Sequence, residues 1–264
     1  MDDLETLADA IRSADTAAAL TGAGISAPSG IPTFRGDNGV WEQFDEGQFT
    51  YGRFQRDPDG FWADRLDLQE AMFSGEYEPN AGHEALAAME RDGDLEAICT
   101  QNTDGLHRDA AAAVRDGETD EPNVDVDGFV LELHGNARRV RCADCGRRRE
   151  GDPIFERAAD GELPPTCDCG GVYKPDVVLF GERLPDAVMQ RAQSLARESD
   201  AFLAIGSSLV VEPAASLPRI AARNGATVGI VNLESTPCDG AADVVCREDV
   251  TEVLPELREL VENR

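Results

Sequence analysis

Four of the seven cysteines fall in two tight pairs, Cys142-Ala143-Asp144-Cys145 and Cys167-Asp168-Cys169, with 21 residues between the pairs. Four thiolates so arranged suit a tetrahedral zinc ion, and a closed four-sulfur set leaves no open position for a reacting water. The expected role of the metal is therefore structural. Cys99, Cys238 and Cys246 are scattered and read as small buried hydrophobes. A different chemistry is suggested by Gly22-Ala23-Gly24-Ile25-Ser26-Ala27, a glycine turn that lets backbone N–H groups approach a pyrophosphate. The acidic residue expected about 20 residues beyond such a turn is missing, so a bound ribose must be held elsewhere.

Other polar clusters follow short apolar runs. Gln101, Asn102 and Asp104 come directly after Leu95 to Thr100, where an amide could hydrogen-bond a ribose and a carboxylate could accept from a carboxamide. A plain capping role for Asn102 or Asp104 at the next helix is the alternative. Gly206, Ser207 and Ser208 are expected to open a helix at a strand end, a phosphate site, and Asn232 with Glu234 could hold a second ribose. Of the three histidines, His83 and His107 lie in helical segments and read as structural. His134 ends a strand beside Gly135, and an ordinary pKa near 6.5 suits it to act as a general base at neutral pH.

The elements that must position these clusters are legible in the hydrophobic periodicity. Leu4, Leu7, Ala8 and Ile11 mark a first helix over 3–14, and the apolar run Ala17 to Leu20 marks the strand that feeds the glycine turn. Further strands are expected at Leu95 to Thr100, Phe129 to Leu133, Ala201 to Ile205 and Ala226 to Val231, with helices around 83–91, 105–115, 186–198 and 214–224. That alternation predicts an α/β fold, a Rossmann-like parallel sheet with helices on both faces, whose ligands sit outside the carboxyl ends of the strands. Residues 42–80 break the pattern and read as a few short helices. Residues 137–175 carry the cysteine pairs and Pro164-Pro165 and read as a small inserted module. The division predicted is a dinucleotide-binding domain of 1–136 and 176–264, with a helical insertion at about 42–80, and a zinc module of 137–175. Asp116 to Gly128 is acidic and apolar-poor, and reads as a surface loop.

Length and charge set the outer limits. With 264 residues, of which 41% are hydrophobic, the chain can bury one sizeable core and carry a small extra module. Against 52 acidic residues stand 24 basic ones, giving −28, and Lys174 is the only lysine. A binder of nucleic acid or of an anionic membrane needs a basic stripe, yet the basic clusters are short, Arg138 to Arg141 and Arg147 to Arg149. Neither partner is expected. Self-repulsion of this size is relieved in molar salt, where the Debye length is about 3 Å, so the composition predicts a halophilic protein of a salt-rich cytoplasm. No run approaches the roughly 20 apolar residues of a membrane span, and Met1-Asp2-Asp3-Leu4-Glu5 is acidic where a secretion signal is basic. The expected location is cytoplasmic.

The stretch Gly22-Ala23-Gly24-Ile25-Ser26-Ala27-Pro28-Ser29-Gly30-Ile31-Pro32-Thr33-Phe34-Arg35-Gly36 closely resembles the signature of the sirtuins, the NAD-dependent protein deacylases. Thr100-Gln101-Asn102-Thr103-Asp104-Gly105-Leu106-His107, Leu133-His134-Gly135-Asn136, Val177-Val178-Leu179-Phe180-Gly181-Glu182, Gly206-Ser207-Ser208-Leu209 and Val231-Asn232-Leu233-Glu234 follow in the order of that family, so the resemblance spans almost the whole chain. It implies NAD as co-substrate, one structural zinc, and an acyl-lysine protein as the other substrate. NAD contacts are implied for Gly22, Ala23, Gly24, Ile25, Ala27, Thr33, Phe34, Arg35, Trp41, Gln101, Asn102, Thr103, Asp104, Gly206, Ser207, Ser208, Asn232, Leu233, Glu234 and Val250. Arg35 suits a phosphate, and Phe34 can cover the nicotinamide or the reactive sugar carbon.

Catalysis is implied for His134, which takes the proton of a ribose hydroxyl, together with Asn102 and Asp104. Cys142, Cys145, Cys167 and Cys169 are the implied zinc ligands, although the family usually places two residues, not one, between its second pair. The peptide is expected to lie extended between Val178 to Glu182, through Val178, Phe180 and Gly181, and the segment after Leu209, as an added strand. Deacetylation is the expected activity. The desuccinylating branch reads its carboxylate with a Tyr-x-x-Arg pair, and the nearest match here is Trp62-Ala63-Asp64-Arg65. Trp62 lacks the phenol and Asp64 would repel a carboxylate, so Trp62 and Arg65 are also read as a core residue and a paired cation.

Overall fold

The computed structural model describes residues 3–34, 39–115 and 128–263. Arg35 and nearly all of the acidic segment Asp116 to Gly128 lie outside the described residues. The main sheet has six strands: β1 (Ala17–Thr21), β2 (Ala97–Thr100), β3 (Val130–Glu132), β7 (Ala201–Ile205), β8 (Thr227–Val231) and β9 (Val244–Cys246). Their order is β3-β2-β1-β7-β8-β9 and every pairing is parallel. The chain thus builds outward from β1 in one direction and then from β7 in the other. The switch point lies between the carboxyl ends of β1 and β7, where an open α/β sheet leaves its crevice.

Helices close both faces. On one side α1 (Asp3–Ser13), α4 (Ala81–Arg91) and α9 (Val250–Glu262) bury Leu7, Ile11, Leu86, Met89, Leu254 and Leu257 against the sheet. On the other, α7 (Asp186–Glu198) and α8 (Leu217–Arg223) bury Ala192, Leu195, Leu217 and Ala221 against Leu20, Phe202 and Ile230. Complete burial of a side chain such as Phe202 contributes about 1.5–3 kcal/mol. Asn80 starts α4 in a capping box, accepting from the Gly82 and His83 amides while its own amide donates to His83 Nδ1. The last of the predicted helices is split, with a 3₁₀ turn at Ala214–Ser216 preceding α8. The strand β9 and the helix α9 complete the sheet beyond the elements expected from the sequence.

A second, antiparallel sheet in the order β5-β4-β6 is formed by β4 (Gly135–Cys142), β5 (Arg148–Glu150) and β6 (Tyr173–Val177), with α6 (Asp152–Ala159) beside it. The region read as short helices holds 3₁₀ turns, α2 (Tyr51–Arg56) and the longer α3 (Pro58–Phe73). α3 packs directly on the cysteine-bearing region. Trp62 meets Phe155 at 5.4 Å and donates its indole N–H to the Tyr173 carbonyl at 2.8 Å, so both regions share one core cluster. The remaining helix, α5 (Leu106–Val114), follows β2 and carries the histidine and arginine described next.

Candidate active site

The glycine turn after β1 and the turn after β7 meet at the switch point. Gly22 N donates to Ile205 O at 3.0 Å, and Gly24 N donates to Gly206 O at 2.8 Å. A Cβ on Gly22 or Gly24 would stand 2.8 Å from the Gly206 carbonyl, and one on Gly206, whose φ is +58°, would stand 2.4 Å from Ile25 N. These glycines are therefore required first by the mutual approach of two backbone turns. Two 3₁₀ turns, Ala23–Ile25 and Ala27–Ser29, follow in place of the helix of a standard dinucleotide fold. Gly206, Ser207 and Ser208 open no helix either: an irregular loop with Leu209 at φ +52° runs on to the 3₁₀ turn at Ala214. The helix N-terminus expected there is absent because Gly206 turns the chain back onto Gly24 and Ile25.

Above this junction lies a cavity of about 900 Å³, at the upper end of the usual range for small-molecule sites. Its walls bring together most of the residues singled out in the sequence: Gly22, Ala23, Gly24 and Ala27 from the first turn, Thr33, Phe34 and Trp41 further along, Gln101, Asn102 and Thr103 after β2, and His134 after β3. Val178, Phe180 and Gly181, the turn of Gly206, Ser207 and Ser208, and Asn232, Leu233, Glu234 and Val250 complete it, with Arg65 on α3. Ile25 is sealed in the core beneath the turn. Asp104 instead borders a smaller recess beside Ser26, Phe34 and Asn102. Ser26, Phe49, Leu68 and Met72 were not expected among these walls. Arg65, Leu68 and Met72 share one face of α3 by their spacing, which could have marked the last two.

His134 Nδ1 lies 3.0 Å from the Gln101 carbonyl. A carbonyl only accepts, so Nδ1 carries the proton and Nε2 is the basic nitrogen. Burial lowers the His134 pKa below its ordinary value, against the opposing pull of that hydrogen bond, and keeps the ring neutral at pH 7. Asn102 is locked by its amide, which donates to Gly22 O at 3.1 Å and to Ser26 Oγ at 3.0 Å. Asp104 accepts from Ser26 Oγ at 2.7 Å and from Leu106 N at 2.9 Å, and burial raises its pKa despite both bonds. Gln101 reaches across to Ser207 Oγ at 2.8 Å. Behind them His83 faces Ser26, and His107 bonds Thr21 Oγ1 at 2.8 Å. Burial holds His83 at about 4 and His107 well below its ordinary range, so both are neutral parts of the framework.

The Trp62-Arg65 pair does not act together. Trp62 is fully buried against Phe155 and does not reach the cavity, which corrects its reading as a substrate contact in favour of the core reading. Asp64 pairs with Arg53 at 3.3 Å. Arg65 is 4% exposed, stacks over Phe155 at 5.4 Å, and makes no hydrogen bond or ion pair among the described residues. Desolvation lowers its pKa to about 10. The segment from Val178 is also less open than an unpaired edge. Phe180 exchanges backbone bonds with Phe49 and Tyr51, and Glu182 N closes a turn onto Leu179 O at 2.9 Å.

Away from the cavity, the sulfurs of Cys142, Cys145, Cys167 and Cys169 all lie within 4.8 Å of one another. A zinc with bonds of about 2.3 Å places its four sulfurs about 3.8 Å apart, and the pairs Cys142–Cys169 and Cys145–Cys167 stand at 3.5 and 3.9 Å. The donor set fits the ion. The single residue between Cys167 and Cys169 is accommodated by Gly170 at φ +87°, which donates to Cys167 O, and by Gly171, where a Cβ would stand 2.8 Å from Cys142 Sγ.

Residues 22–213 match the model of the Sir2 family. An NAD-dependent protein deacetylase of Haloarcula marismortui is 56% identical over 97% of this chain and 94% of that protein. The NAD-dependent protein deacylase 2 of Archaeoglobus fulgidus is 40% identical over 98% and 96% respectively. A solved Sir2 with a deacetylated p53 peptide and 3′-O-acetyl ADP-ribose superposes with a TM-score of 0.83 at 33% identity, covering 98% of both chains. With a six-stranded parallel sheet, a four-cysteine cluster and agreement of this extent along its length, this chain belongs to the Sir2 family.

Proposed function

We infer that this chain is an NAD-dependent protein-lysine deacylase, with His134 as its general base, and that acetyl-lysine is among its substrates. The observation that carries the assignment of the base is the tautomer of His134: its proton is committed to the Gln101 carbonyl, which leaves Nε2 as the basic nitrogen of a residue that lines the cavity. The cavity fits a dinucleotide by size and by its lining of backbone turns and fixed polar groups. NAD, when bound, would supply the sugar carbon from which the acyl oxygen displaces nicotinamide, and with one water consumed the net products are free lysine, nicotinamide and O-acyl-ADP-ribose. His134 takes a ribose hydroxyl proton at Nε2. Asn102, rigidly held by Ser26 and Gly22, orients the ribose, and Asp104 supplies the acceptor for a carboxamide. Gly206, Ser207 and Ser208 hold phosphate, and Asn232 and Glu234 hold the second ribose.

The acyl-lysine peptide enters between Val178 to Glu182 and the loop after Leu209. The division into a dinucleotide domain of 1–136 and 176–264 and a zinc module of 137–175 goes with this reading, the two sheets supporting it. A second activity, on acyl groups ending in a carboxylate, is favoured by Arg65, the only lysine or arginine among the described residues lining the cavity. The objection from Asp64 is weakened, since that carboxylate is engaged by Arg53, and Trp62 does not fill the space, although no phenol stands beside Arg65. Incubating acetyl- and succinyl-lysine peptides with NAD in molar KCl, and identifying products by mass, tests both activities. Absence of any NAD-dependent deacylation would refute the assignment.

A further inference from the structure

The chain passes between the two sheets twice, leaving β3 through Leu133 and His134 and returning after Val177. The two passages touch. Val178 N donates to His134 O at 2.9 Å, and a Cβ on Gly135, at φ +79°, would stand 2.0 Å from Asp176 O. Beneath this crossing lies a nearly buried charge cluster that the chemistry above does not use. Arg139 on β4 donates to Glu132 Oε2 on β3 at 2.6 Å and to Asp176 Oδ2 on β6 at 3.3 Å. Glu132 has a second cation, Arg108 at 2.9 Å, and also accepts from Asn136 Nδ2 at 2.7 Å, while Asp176 has Arg148 at 2.8 Å. Burial alone would raise the Glu132 pKa, but Arg139 and Arg108 overcome it and hold the carboxyl below its ordinary range.

Arg108 and Arg148 by themselves balance the two carboxylates. Arg139 is thus not needed for charge neutrality, and burying a third guanidinium is costly. What it alone among these cations supplies is a link from Glu132, two residues before His134, to Asp176, two residues before Val178. We propose that Arg139 is a positioning residue of the deacylation reaction, holding the passage that carries His134 in register with the one that begins the substrate-binding edge. The proposal rests on the assignment of His134 and Val178 made above.

The test compares Arg139→Gln, Arg139→Lys and Arg148→Gln in turnover of an acetyl-lysine peptide and in amide hydrogen exchange of the free protein. Lys keeps the buried charge but has no planar fork to span two carboxylates, so it should behave like Gln. Both Arg139 variants should lose about 10²-fold in kcat, the cost of a slightly misplaced reacting group, raise the KM for peptide and leave the KM for NAD within about two-fold. The Val178 amide should exchange faster in both. Arg148→Gln removes a partner of the same Asp176 without cutting the link, and should keep wild-type turnover and Val178 exchange. Equal damage from Arg148→Gln, or wild-type turnover and Val178 protection in Arg139→Lys, would overturn the proposal. The lysine variant decides the matter even if Arg139→Gln does not fold. Failure of the wild type to deacylate any peptide would count against the assigned function, while the exchange comparison would still decide the role of Arg139.

Discussion

Arg65 offers the most discriminating perturbation, because a desolvated guanidinium with no hydrogen-bond or ion-pair partner among the described residues lines a cavity that should receive an acyl chain. Its fall from 12.5 to about 10 comes from burial and corresponds to roughly 3 kcal/mol of lost solvation. A succinyl carboxylate placed against it recovers at most an amount of that order through a bidentate, charge-assisted pair. A neutral acetyl group recovers none. Arg65→Met keeps the length and apolar stem while removing the charge, so kcat/KM for succinyl peptide should fall by about 10²-fold, with acetyl peptide changed by less than about three-fold. The same substitution relieves the buried charge in the free protein, and Tm should rise, by up to about 6–12 °C if all of the roughly 3 kcal/mol is recovered at about 2–4 °C per kcal/mol for a chain of this size. The assay is initial rate against peptide concentration at saturating NAD, with calorimetry on the same samples. Negligible wild-type activity on succinyl peptide, or equal losses on both peptides, would refute the reasoning.

His134→Ala should lower deacylation by about 10²- to 10⁴-fold with NAD binding, measured by calorimetric titration, little changed. Because the folded pKa of His134 lies below 6.5, its neutral form persists as pH falls through that value, and the acid limb of the wild-type kcat/KM profile should have its midpoint lower still. Chelating the zinc, or Cys142→Ser, should loosen the β4-β6 region and reduce activity indirectly; full activity and unchanged melting with less than one zinc per chain would remove the structural metal. For the surface carboxylates, Tm should be higher in about 2 M KCl than in about 0.1 M, where the Debye length is about 10 Å and repulsion among a net −28 is far less screened.

What the sequence determines by itself is whatever depends on neighbours along the chain. The spacing of Leu4, Leu7 and Ile11, the apolar run Ala17 to Leu20 entering the glycine turn and the close cysteine pairs each report a local constraint, and each is found in its expected place. The spacing of Val250, Val253, Leu254, Leu257 and Val261 is of the same kind and would have marked α9. Tertiary structure decides where two such local elements meet. Gly22, Gly24 and Gly206 look like separate ligand turns until they are seen to need one another's missing side chains. α3 buries Phe61, Trp62, Arg65, Leu68 and Met72 on one side, and because a cation stands among them no purely apolar stripe tells that Arg65 lines the cavity while Trp62 does not. The tautomer of His134 depends on a carbonyl 33 residues away, and the bridge made by Arg139 on carboxylates from two other strands. These are properties of charge and shape brought together across the chain, and periodicity along a single segment carries no record of them.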